Sequence, residues 1–186
     1  QPGAAAQTLS GGFVVSPSPF DATRVTSNLI SDADLTLTGT GAANAFRIAA
    51  GNTLVKSGAA ALNVNGDQLH AAGSTLQATQ GTVNFNTDAG AAAANNLSLN
   101  VAGATVNLNS TQHVAQVVVT AGIAKLASAP TTGSRVLDST AVSVTGAGKL
   151  DITNGRLIVD YAPGNSPIAS VRQQIVAGYN AGGAAW

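Results

Sequence analysis

The segment TVNFN at residues 82–86 returns as TVNLN at residues 105–109, and a relative, LNVN, occupies residues 62–65. Each contains an apolar residue between two asparagines: Asn63-Val64-Asn65, Asn84-Phe85-Asn86 and Asn107-Leu108-Asn109. On a strand, successive side chains point to opposite sides, so the apolar centre faces one way and the asparagine pair the other. The triplets recur at a spacing within the range of coiled repeat architectures. A second apolar row, Leu97, Val117, Leu137 and Leu157, falls at even intervals, and Leu76 and Leu54 continue it backwards at slightly longer ones.

Short strands at a fixed period, punctuated by Gly, Asn or Thr, describe a chain that winds into coils and lays each coil on the one before. Equivalent positions then meet ~4.8 Å apart, and like side chains touch like. The pattern predicts an all-β fold, a parallel β-helix (β-solenoid) with about 20 residues per coil. Phe85 and Leu108 are expected inside, with Asn63, Asn65, Asn84, Asn86, Asn107 and Asn109 as an outward amide ladder. The alternative is an antiparallel β-sandwich, which also alternates apolar and polar residues. Asn154-Gly155, between alternating runs in residues 148–161, is a two-residue hairpin signal that favours it locally.

One domain over residues 1–186 accommodates these elements. Residues 1–50 read as irregular N-terminal coils or a cap, and residues 51–161 as regular coils. Ser166 as N-cap, Pro167 at the first helical position, the stripe Ile168, Val171, Ile175 and a stop at Gly178 predict a capping helix over residues 166–177. A glycine- and alanine-rich tail fills residues 178–186.

Eight basic and eight acidic side chains cancel, so no basic field exists to gather nucleic acid or anionic lipid. No cysteine is present for a disulfide or a thiolate metal site. The longest apolar runs, such as residues 117–119 and 157–159, are far too short to span a bilayer. The opening Gln1-Pro2-Gly3-Ala4-Ala5-Ala6, without an initiator methionine, suits residues just after a processing site and predicts an exported protein.

From Gln112 onward, the blocks Val117-Val118-Val119, Arg135-Val136-Leu137, Lys149-Leu150-Asp151-Ile152, residues 157–161 (LIVDY), Ser166-Pro167-Ile168 and Gly178-Tyr179-Asn180 resemble the C-terminal part of secreted bacterial β-solenoid proteins with autotransporter-associated β-strand repeats, found especially among planctomycete-like bacteria. The resemblance covers the chain well from Gln112 to the C-terminus and the rest only in style. It implies a right-handed parallel β-helix and a surface or matrix location, and it implies no catalytic residues.

Parallel β-helices also host polysaccharide lyases and hydrolases, which need clustered carboxylates. The acids here, Asp21, Asp32, Asp34, Asp67, Asp88, Asp138, Asp151 and Asp160, are scattered; only Asp32 and Asp34 are close enough in sequence to share a face and offer Ca²⁺ a ligand pair, and simple turn formation explains them as well. His70 and His113 stand in no metal spacing or triad and read as surface or rung residues. Lys149, Asp151, Arg156 and Asp160 read as cross-strand charge pairs.

No catalytic, cofactor or metal residues are therefore assigned. The expectation is a non-enzymatic, secreted or cell-surface structural protein that forms a homo-oligomer or head-to-tail polymer, with Phe13, Val14, Val15, Tyr179 and Trp186 as the candidate assembly segment. The second reading is a carbohydrate-binding module that presents its asparagine columns to an extracellular polysaccharide.

Overall fold

A computed structural model describes residues 7–9, 11–15, 26–30, 33–91 and 94–181. Its strands are β1 (Gln7–Leu9), β2 (Val14–Val15), β3 (Thr26–Ile30), β4 (Leu35–Leu37), β5 (Arg47–Ile48), β6 (Thr53–Ser57), β7 (Ala61–Val64), β8 (Thr75–Ala78), β9 (Thr82–Phe85), β10 (Ser98–Leu108), β11 (Gln112–Leu126), β12 (Val136–Val144), β13 (Lys149–Asp151) and β14 (Arg156–Val159). A one-turn helix α1 (Gly41–Asn44) interrupts one coil, and α2 (Ile168–Ala181) follows the last strand.

Every pairing between these strands is parallel. The chain visits three faces in turn, as a β-solenoid does. The first face stacks β3, β6, β8, residues 98–101 of β10, residues 116–119 of β11 and residues 141–144 of β12. The second stacks β1, β4, β7, β9, residues 105–108, residues 123–126 and β13. The third holds β2 with β5, a single bridge from Phe46 to Gln68, and residues 112–114, 136–139 and β14. In β10 and β11 the chain turns a corner without breaking its ladder, with register shifts after Val101 and Ala102.

The alternation legible in the sequence decides what faces inward. From β6 to β9, half-buried and buried residues alternate along each strand. Val64, Phe85, Leu108 and Leu126 form one interior column in register, and all four are buried. Each such side chain removes enough apolar surface to contribute about 1.5–3 kcal/mol.

Two sequence-based expectations change in detail. The interior row on the first face runs Leu54, Leu76, Leu99, Val117 and Val142, so Leu99, not Leu97, is the rung. Leu137 and Leu157 belong to a different column, above Gln112 on the third face. The steps along the first row are unequal, shortest from Leu99 to Val117 and longest from Val117 to Val142, so the even interval in the sequence mixes two faces. Corners of different length absorb the variation while strand register stays fixed.

The sandwich alternative is excluded. Asn154-Gly155 lies in a turn between β13 and β14, but β13 pairs with β11 and β14 with β12, each in parallel. The turn is a corner of the solenoid, with Thr153 at φ +48°.

The C-terminal helix also differs from expectation. It passes through Gly178 to Ala181, and Ile168, Ile175 and Val176 are exposed. Its hold on the solenoid includes Gln174, whose Oε1 accepts the Val144 N–H at 3.0 Å. The stripe drawn from the sequence therefore faces solvent at Ile168 and Ile175.

Candidate functional site

The second face carries the asparagine ladder. Nδ2 of Asn107 donates to Oδ1 of Asn84 at 2.7 Å, and Asn84 donates in turn to Asn63 at 2.7 Å. Asn63 continues the chain to Thr36 Oγ1 at 3.3 Å. A second rank runs alongside, from Asn109 to Asn86 at 2.7 Å and from Asn86 to Asn65 at 2.5 Å. Both ranks donate toward the N-terminal coils. An amide has two N–H groups and two acceptor lone pairs, so each ladder amide keeps at least one donor for solvent or a ligand.

The same outward column continues beyond the asparagines. Asn107 is the register partner of Lys125, and Lys125 of Asp151. The Lys125 ammonium lies 3.8 Å from the Asp151 carboxylate, with both groups well exposed. This pair replaces the expected pairing among Lys149, Asp151, Arg156 and Asp160. At such exposure it contributes little to stability.

Polar groups also occupy the interior, where the sequence does not signal them. His70, expected at the surface or on a rung, is 5% exposed on the third face. Its Nδ1 accepts the backbone N–H of Ile48 at 3.2 Å, which places the ring proton on Nε2, 3.1 Å from Gln68 Oε1. Phe46 meets the ring edge-on at 4.9 Å. Burial lowers its pKa from 6.5 to about 4, because the charged form has lost its water. Gln68 Nε2 donates onward to the Thr87 carbonyl at 3.0 Å, and Gln112 donates to the same carbonyl at 2.9 Å. The histidine thus ties neighbouring coils together beside the backbone hydrogen bonds that join Phe46 and Ile48 to Asp67, Leu69 and Ala71.

Lys56 is a second buried polar group, fully inaccessible near the end of β6. Its Nζ donates to the carbonyls of Ser57, Gly58 and Gln80 at 3.1, 3.0 and 3.3 Å. Burial lowers its pKa, and the nearby Asp34 charge opposes that shift. The ammonium holds a corner by satisfying three carbonyls from two coils. Nothing in the sequence marks Lys56 as interior beyond its place in the alternation of residues 53–57.

Asp34, Asp67 and Asp88 are engaged in local structure. Asp88 accepts the backbone N–H of His113 at 2.9 Å and faces its Nδ1 at 2.6 Å. Asp67 accepts from Gly41 N–H at 2.7 Å, and Asp34 from Ala61 N–H at 2.7 Å. A shallow open depression lies beside Asp67, Gln68, Thr87 and Asp88. Among the described residues, no group of three or more His, Asp or Glu side chains is placed to hold a metal ion. Asp32, the expected neighbour of Asp34, lies outside the described residues, as does Asp21.

The expected assembly segment divides. Phe13 packs on Phe46 at 5.5 Å, and Val15 is buried. Both belong to the chain's own third face, where β2 pairs with β5. Val14 is 55% exposed. Tyr179 falls in α2 with its side chain outside the described residues, and Trp186 lies outside them altogether.

No protein-family model matches this chain, and no curated protein or solved structure shows significant similarity to it. No helix among the described residues is long and apolar enough to cross a membrane.

Proposed function

We propose that this chain is a non-enzymatic structural protein of the cell exterior, a subunit that self-associates through the end of its solenoid. The observation that carries the reading is the apolar surface at the C-terminal end. Leu150 and Leu157 pack on the core yet remain half-exposed, and no strand lies beyond β13 or β14 among the described residues. Ile158, Tyr161, Ile168, Ile175 and Val176 add exposed large apolar side chains within the same part of the chain. Parallel strands with an open edge are a template for further strands, and apolar area of this kind marks an interaction surface. The near-zero net charge lowers the repulsion opposing assembly. The resemblance of the last coils to secreted repeat proteins supports the exterior location.

Analytical ultracentrifugation over a wide concentration range, with electron microscopy of the same samples, tests this. Oligomers or filaments that grow with concentration are expected. A monomer at every concentration overturns the reading.

A second reading rests on the paired amide ranks. Their free donors repeat at ~4.8 Å along the stack and roughly 7 Å across it, a regular array for the hydroxyls of an extended polysaccharide. Selective glycan binding that is lost in Asn86→Ala, whose amide is exposed, would favour it.

A further inference from the structure

The order in which the chain visits its faces specifies how two copies meet. The first described strand, β1, lies on the second face and β2 on the third, while among the described residues the first face begins one coil later with β3. At the other end residues 141–144, β13 and β14 complete one coil on all three faces. We infer that a second copy of this chain docks head to tail by laying β1 on β13 and β2 on β14, leaving the first face one strand short. The inference rests on the self-association proposed above and specifies its interface.

The chemistry of the two ends matches in that register. On the second face, one outward column can be followed through every rung: Thr8, Thr36, Asn63, Asn84, Asn107, Lys125, Asp151. Continuing it places Thr8 of the next copy over Asp151, a hydroxyl donor over a carboxylate acceptor. Inward, half-buried Leu9 and Phe13 meet the half-buried residues Ile152 and Leu157. On the third face the outward residues are Val14, 55% exposed, and Ile158, 43% exposed. Each covers the other. On the first face, where the described residues of the docked copy supply no strand, the chain offers one partner of its own, because Gln174 accepts the Val144 N–H.

The size is that of a weak interface. A standard interface of roughly 800 Å² per partner uses about 20–30 residues a side. One coil falls near the bottom of that range, and a coil lacking one strand falls just under it, so assembly should depend on concentration. Head-to-tail contacts of this kind do not close, and they build a filament.

The test is a Val14→Cys, Ile158→Cys double variant of the full chain, which has no cysteine of its own. Both side chains are exposed, so folding is undisturbed. Six rung steps separate Thr8 from Asp151, ~29 Å at the usual strand spacing. The two ends of one molecule therefore cannot be joined by a disulfide. Mild oxidation should give a ladder of covalent dimers, trimers and higher species, and each single variant should give at most dimers. Val14→Lys with Ile158→Lys should raise the assembly concentration about tenfold or more, and Val14→Lys with Ile158→Asp should restore most of the loss. Oligomers that persist without the ladder, or efficient dimers of Ile158→Cys alone, overturn this docking but leave self-association standing. An unmodified chain that stays monomeric throughout overturns both.

Discussion

Phe85 and Leu108 are register partners on adjacent parallel strands, each 1% exposed, although a full coil of chain separates them in sequence. Val64 lies on the other side of Phe85 and Leu126 on the other side of Leu108. The interior is therefore a set of vertical columns, and a side chain in mid-column touches its equivalents above and below.

Truncation in such a column leaves a hole that neighbours fixed by strand register fill poorly. Leu108→Ala should destabilise the fold by about 3 kcal/mol, read from urea unfolding monitored by far-UV circular dichroism. A loss under about 1 kcal/mol would mean that the columns repack more freely than parallel stacking permits.

Asn84 both donates to Asn63 and accepts from Asn107, and is only partly exposed. Asn84→Ala removes both bonds and should cost about 1–2 kcal/mol, whereas Asn86→Ala, on the exposed rank, should cost about 0.5 kcal/mol or less. Equal effects in thermal or chemical unfolding would show that the inner ladder carries no special weight.

His70 sets a pH dependence. Its folded pKa is about 4 and its ordinary value 6.5, so between these pH values the unfolded chain binds the extra proton and stability rises with pH. The folded state should be weaker at and below pH 4 than at pH 7 by about 3 kcal/mol from this group. In His70→Gln, which retains an acceptor for the Ile48 N–H, that part of the slope should vanish. The difference between the two proteins' unfolding free energies at pH 4 and pH 7 measures it, and parallel curves would contradict the assignment.

Gly81 turns the corner between β8 and β9 at φ +68°, where an added Cβ would stand 2.5 Å from the Gly58 carbonyl and 2.8 Å from those of Ala59 and Ala60. Gly164 also has positive φ, +87°, but with open space around it. Gly164→Ala should cost about 1 kcal/mol, the conformational penalty alone. Gly81→Ala should cost about 3 kcal/mol or more, because backbone of the coil below must shift. Similar unfolding midpoints for the two would refute the close stacking at this corner.

Of the candidate site, the asparagine ladder is legible in the sequence because its residues repeat in an alternating context that states which way each side chain points. Buried His70 and Lys56 are not legible. His70 lies in a stretch whose pattern is compatible with a polar residue at the surface, Lys56 shares the inward side of Leu54 but carries a charge that argues against burial, and in both cases burial follows from the carbonyls and amides that neighbouring coils bring to them. The Lys125–Asp151 continuation of the asparagine column is hidden for a related reason. The step from Asn107 to Lys125 is short and the step from Lys125 to Asp151 is long, so no constant period leads from one to the other.

Alternation and recurrence along the chain determined the fold class, the inward and outward residues of the middle coils and the stacking of like on like. These are local properties, fixed by the two-residue repeat of a strand and the need to bury apolar side chains. The tertiary structure decided which leucine stands on which, which polar groups end up inside, and what remains uncovered at the last coil. Register between coils depends on the path of each corner, which is set by close backbone contacts between segments a full coil apart in sequence.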